Sequence, residues 1–210
     1  WITEEYRDQA ERAGYTVVDS PSIIATHLTE LLKRNSADIL GRQEVKSMLD
    51  TLRRDYPAVV EDVQGALSLG EIQKVLQGLL REQVSMRNLV VILETLADYG
   101  NITKDSSFLV EKVRQALKRQ ISLQYADDDK SMKVITLDPS LEQRIIDSRV
   151  ETAGGVVPAL QPDVQRAWIN ALLNSVQQAR SQGVFPLILC SEAARPLVKA
   201  SAQRELPDLA

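Results

Sequence analysis

The chain contains one histidine, His27, and one cysteine, Cys190. A single cysteine cannot close an intrachain disulfide, which suits a reducing compartment. With one of each, a Cys/His zinc site cannot be assembled within the chain. Aromatic residues make up only 4% of the sequence, and 25 Lys and Arg face 29 Asp and Glu, a net charge of −4. The pI is about 5.2. Such a balance lacks the basic footprint of a nucleic-acid binder. The longest apolar runs, Leu89 to Leu93 and Val184 to Cys190, fall far short of the ~20 residues of a membrane-spanning helix. The first residues do not read as a signal peptide. The chain also has no Walker A string, no GxGxxG and no nucleophile-elbow motif. Neither a metal nor a cofactor is expected.

What is present is the makings of a folded core. The 210 residues are 44% hydrophobic, a composition that folds without a disulfide or metal and suits one to two compact units. The chain begins at Trp1 rather than a methionine and ends in ELPDLA, so both ends are expected to lie inside a longer protein.

Trp1 to Asp19 reads as a short helix stopped by Gly14, then a strand over Tyr15–Val18. Ser20 and Pro21 form a helix start, as N-cap and first helical residue, with Ile24, Leu28 and Leu31 following at helical spacing. A second helix after Gly41 carries Val45, Met48, Leu49 and Leu52, and Pro57 begins a third. Ser68 and Glu71 form a capping box. Behind it Ile72, Val75, Leu76, Leu79 and Leu80 make the strongest helical pattern in the chain. Further helices are expected from Ser85 and from about Asp105 to Arg119.

After Gln120 the pattern changes. Ile121–Tyr125 and Met132–Leu137 read as a β-hairpin around Asp127–Lys130. A short helix follows Asp138-Pro139, and Gly154-Gly155 breaks the chain. Pro162 opens a long helix, Val184–Cys190 reads as a buried strand, and Ser191 caps a last helix. The β-β-α-α-β-α order indicates a small α/β unit. The expected class is α+β, predominantly α, a helical subdomain followed by a small α/β subdomain. Residues 1–25 are read as the C-terminal remnant of an upstream α/β subdomain, 26–122 as all-helical and 123–210 as α/β.

Few residues suggest chemistry. His27 shares a face with Ile24, Leu28 and Leu31, where packing outweighs catalysis. Cys190 ends a strand before a helix N-terminus, and Arg195 follows, a faint likeness to a phosphatase loop. However, the spacing is one residue short and no glycine lets backbone amides wrap a phosphate, so a buried structural cysteine is the better reading. Asp127–Asp129 lacks the alternation, glycine and terminal glutamate of an EF-hand and reads as a solvated turn. Thr26 lies about 200° around the helix from Ile24 and is expected on its exposed side, next to Ile23 and Glu30.

Several strings recur in a specific order: GYTVVD at 14–19, IIATHL at 23–28, LGRQEV at 40–45, ETLADY at 94–99, VITLDPSLE at 134–142 and PLILCSEAARP at 186–196. In this order they resemble the FlhA family of flagellar type III export-gate proteins, specifically the C-terminal cytoplasmic domain. The residue at Arg42 favours this flagellar branch over the related virulence export gates. The resemblance implies a full protein in the bacterial inner membrane, with this part on the cytoplasmic side as one portion of a nonameric ring. It implies no covalent chemistry, but selective docking of chaperone–cargo complexes and the ordering of their export. Other export-apparatus proteins, including the ATPase complex, are implied partners. By motif match it places Ile23 and Thr26 in a chaperone-binding dimple, and it makes Arg42 and Glu44 candidate ring contacts. Two rival readings are a helical nucleic-acid-binding module and an enzyme with Cys190 as nucleophile.

Overall fold

Residues 2–152, 155–206 and 209 are described by a computed structural model. The helical pattern around Ile72 organises it. Helix α6 (Leu69–Arg81) starts at the expected capping box, with Ser68 Oγ accepting from the Glu71 amide and Glu71 Oε2 accepting from the Ser68 amide at 2.7 Å. Its apolar stripe, Ile72, Val75, Leu76 and Leu79, is fully buried. Around it stand α3 (Ser36–Ile39), α4 (Arg42–Leu52), α5 (Pro57–Ala66), α7 (Leu89–Gly100) and α8 (Ser106–Ala116). Helix α5 packs along α7, α6 and α7 both pack on α8, and α3 and α4 lie against α6. One continuous core runs from Leu40 to Leu117. Lys104 fastens two of its corners, donating to the carbonyls of Ala66 and Gly100 at the ends of α5 and α7, where a cation also favours the helix dipoles.

Ahead of this core, a 3-10 turn (Glu4–Tyr6), helix α1 (Arg7–Arg12) and helix α2 (Ser20–Arg34) contain no buried residue. The expected strand at Tyr15–Val18 is irregular and has no strand neighbour among the described residues. Helix α2 starts one residue early: Asp19, not Ser20, is the N-cap, its Oδ2 accepting from the Ser22 amide at 3.2 Å, and Pro21 lies one step further in. Ser20–Arg34 is one unbroken helix, so the expected 25/26 boundary falls within it.

The expected strand Ile121–Tyr125 is instead helix α9 (Lys118–Tyr125), which continues from α8. Gln120 Nε2 donates to the Ser85 carbonyl at 2.7 Å and Gln124 Nε2 to that of Gln83 at 3.4 Å. Glutamines four apart share a helix face, and Ile121 packs on the helical core beside them. The expected 122/123 boundary lies inside α9. Asp127–Lys130 is a turn, as expected, with the Lys130 amide donating to the Asp127 carbonyl at 2.8 Å.

The remaining elements are β1 (Ile135–Thr136), α10 (Pro139–Asp147), β2 (Arg149–Thr152), β3 (Gly155–Pro158), α11 (Pro162–Ser181), β4 (Ile188–Leu189) and α12 (Arg195–Ala202). Strand β1 pairs in parallel with β4, Ile135 opposite Ile188, and β2 forms an antiparallel ladder with β3. The expected order lacked this second ladder. Ala153 and Gly154, the first glycine of the expected break, lie outside the described residues; Gly155 has φ +115°, a conformation open to glycine. A second core joins Ile145, Trp168, Leu172, Val176, Leu197 and Val198. Trp168 Nε1 donates to Ser201 Oγ at 3.0 Å, tying α11 to α12. The observed class is the expected one, mainly helical α+β with a small α/β part.

Candidate docking site

At the start of the chain an open groove of about 970 Å³ lies between the 3-10 turn, α1, the extended segment 15–19 and the first turn of α2. Its walls are mainly apolar, from Ile2, Tyr6, Ala10, Tyr15, Val18 and Ile23, with Glu4, Arg7 and Asp19 at the rim. Ile23, Tyr6 and Tyr15 are exposed. Hydrogen bonding from Ser22, through its hydroxyl and its amide, holds the Asp19 carboxyl below its ordinary range, so Asp19 is an anion at neutral pH. The groove can take an apolar side chain or helix edge; no catalytic constellation lines it.

The geometry treats the four candidate residues differently. Ile23 lines the groove, whereas Thr26, one turn on, does not. Thr26 is exposed, but so is every residue of α2, and exposure therefore does not single it out. Arg42 and Glu44 lie on the exposed first turn of α4. The Arg42 guanidinium lies over Gly70 at the start of α6, where a Cβ would meet its Nη2 at 3.2 Å, and Glu44 Oε2 folds back over Gly41.

His27 is exposed, contrary to the packed position expected of it, because Ile24, Leu28 and Leu31 beside it are uncovered. Cys190 is half-buried, and burial first, then the nearby Glu142 carboxylate, pushes its thiol up to about 11, against a weaker opposing effect of Arg195. A nucleophile needs the opposite shift. The Arg195 guanidinium is engaged by Glu82 and Glu111. Among the described residues no cluster of three metal-ligating side chains occurs. Asp127–Asp129 is exposed, with Asp129 Oδ1 accepting from Ser131 Oγ at 3.0 Å.

The architecture is that of the cytoplasmic export-gate domains of type III secretion systems. The Chlamydia pneumoniae CdsV structure superposes with a TM-score of 0.86 at 30% identity, over 100% of this chain and 60% of that one. A nonameric EPEC SctV-C does so with 0.83 at 26%, over 98% and 62%. The FHIPEP family profile matches residues 1–210, and the chain belongs to the FHIPEP family. It is 51% identical over 209 residues to the flagellar biosynthesis protein FlhA of Borreliella burgdorferi. Against the FlhA of Bacillus subtilis it is 42% identical over 210 residues. In both alignments all of this chain is covered, but it spans only about a third of the relatives' length, 30% and 31%.

Sequence reasoning missed Glu82, Glu111 and Arg114 and weighed Arg195 only beside Cys190; the four form a partly buried ionic group between the two cores. Glu82 and Arg195 are 113 residues apart, and no local motif marks a pairing of that kind.

Proposed function

We propose that this chain is the cytoplasmic part of a flagellar type III protein export gate, a non-enzymatic scaffold that docks chaperone–cargo complexes and helps order their export. The observation that carries the reading is the family match over the whole chain, with identity to flagellar FlhA proteins reaching 51%. The flagellar branch is preferred over the virulence branch because flagellar FlhA relatives reach 51% identity, whereas the CdsV and MxiA structures are 29–30% identical. Assembly into a nonameric ring is proposed by similarity to the nonameric SctV-C and EscV domains. Contact with other export-apparatus proteins, the ATPase complex included, is proposed too. A CdsV–CdsO complex is the related precedent. Among the described residues no helix is long and apolar enough to cross a membrane. The inner-membrane anchor is assigned to other parts of the full protein, and this part to the cytoplasmic side. The acidic balance disfavours the nucleic-acid-binding alternative. The division into a remnant (1–25), a helical subdomain (26–122) and an α/β subdomain (123–210) is proposed on the same family grounds.

Docking is assigned to Ile23 and Thr26. Ile23 offers an exposed apolar contact inside a groove, a suitable anchor for a partner's apolar side chain. Ring contact is assigned to Arg42 and Glu44, on the exposed start of α4. The test is titration of a flagellar chaperone–cargo complex onto the full chain by calorimetry. Ile23→Asp and Thr26→Trp are each expected to weaken binding about tenfold or more, equivalent to ~1.4 kcal/mol, with the unfolding midpoint unchanged. Wild-type affinity in both variants would remove the site assignment.

A further inference from the structure

Each half of the chain has its own apolar core, and ion pairs are prominent among the contacts that join the halves. Arg195, the first residue of α12, makes ion pairs with Glu82 at the end of α6 and with Glu111 on α8. Arg114, also on α8, pairs with Glu82 at 2.7 Å. All four side chains are at least three-quarters buried. Two further links flank them: Lys112, lying over the Tyr99 and Phe108 rings, reaches Glu192 at 3.0 Å, and Tyr125 stacks on Phe185 with centroids 5.4 Å apart.

The distribution of these charges is uneven. Glu82, Glu111 and Arg114 all belong to the helical half, and they leave one carboxylate without a cation of its own. Arg195 is the cation supplied from the α/β half. A positive side chain on the first turn of a helix opposes the helix dipole, so local structure does not favour it there; its tertiary partners do. Without Arg195 the two carboxylates would share one cation. Burial already pushes the Glu111 carboxyl up and the Arg114 guanidinium down, as expected of ions held partly out of water.

We propose that Arg195 is an ionic latch, bridging Glu82 and Glu111, that sets the orientation of the α/β half on the helical half, and that opening it frees the α/β half to pivot. Interfaces of this polar kind permit domain motion unless something fixes them. A guanidinium is suited to the task because its planar fork can hold two carboxylates at once. Removing one partner of a buried pair leaves the other uncompensated, so loss of Arg195 strands the Glu111 carboxylate.

The test uses pulsed electron–electron resonance between spin labels at the exposed positions Asp62 on α5 and Gln178 on α11. It is run in the full chain with Cys190 replaced by alanine and labelled protein diluted with unlabelled. Arg195→Met and Glu111→Gln are each expected to broaden the distance distribution about twofold, in line with loss of a fixed interface. Arg195→Lys, a single point charge, should fall between them and the parent. A distribution of parental width in Arg195→Met overturns the latch, whatever the other variants show. If Arg195→Met fails to fold, Glu111→Gln decides: that side chain is held by Arg195 alone among the ion pairs of the described residues, and an unchanged width there overturns the latch equally.

Discussion

Helices α2 and α6 carry similar patterns and have opposite fates. Each presents a stripe of large aliphatic residues at helical spacing, and each is capped by a side-chain oxygen on a backbone amide. In α6 the stripe is sealed, with Ile72, Val75 and Leu79 at 0% exposure. In α2 Ile24, Leu28 and Leu31 are 60%, 52% and 43% exposed. The stripe of α6 is the more sharply segregated of the two, but the larger difference is in what surrounds each helix. Helix α6 has α3, α4 and α8 around it, whereas among the described residues α2 packs closely on α3 alone. An amphipathic pattern therefore specifies a face that can be buried, and the rest of the fold decides whether it is. The contrast also separates stability, concentrated in the helical core, from the exposed opening segment that carries the groove.

Truncating the sealed stripe should have the largest effect. Leu76→Ala removes a side chain that is 1% exposed within the central core. Chemical denaturation is expected to show a loss of about 3 kcal/mol, within the usual ~2–5 kcal/mol for buried leucine. A loss below ~1 kcal/mol would mean that the core around α6 is far looser than its burial indicates. A smaller effect is expected from Gly78→Ala, at a close approach of α6 to α8. A Cβ at Gly78 would stand 2.6 Å from Val110 Cγ2, and a β-branched valine has few rotamers with which to retreat. Overpacking should cost about 1–3 kcal/mol, offset in part by the ~1 kcal/mol by which alanine exceeds glycine in a helix. Net stabilisation on a thermal melt would contradict the close crossing.

The same contrast explains what could be read in advance. Where local chemistry decides, most of the reading holds: the Ser68–Glu71 capping box, the aliphatic stripe of α6, the Asp138 cap and the Pro162 start are all in place, but Asp19 rather than Ser20 caps α2, α7 begins at Leu89 rather than Ser85, and α12 begins at Arg195 without Ser191 as its cap. Where a distant partner decides, it failed. Ile121–Tyr125 alternates like a strand, yet it is helical, and Gln124 together with the preceding Gln120 reaches the 83–85 loop from that helix. Tyr15–Val18 has strand-forming residues but no neighbouring strand among those described. Strand β4 is shorter than the apolar run that suggested it, because only Ile188 and Leu189 find a ladder with β1. Ile23 is singled out by family resemblance, not by residue chemistry, since an exposed isoleucine has no local signature of docking; the structure adds that it lines a groove. The ionic group around Arg195 was not legible at all: carboxylates on α6 and α8 become its partners only once the two halves meet.

The smallest expected effect sharpens the comparison most. Leu28→Ala on α2 removes the same three carbons as Leu76→Ala on α6, from a stripe of aliphatic residues at helical spacing. Leu28 is already 52% exposed, so little of it leaves water on folding and no cavity opens when it is cut back. Alanine also has at least the helix propensity of leucine. Stability of this 210-residue chain should therefore change by less than ~0.5 kcal/mol, the range of ordinary surface substitutions. Comparing the two variants in one denaturation series cancels the chemistry of the substitution and leaves only the difference in surroundings. If Leu28→Ala costs as much as Leu76→Ala, then α2 is covered in solution, and its exposed stripe is a contact surface occupied even in the isolated chain. A change near zero in this chain, joined to a larger loss in the full protein, would place the cover for Leu28 outside these residues.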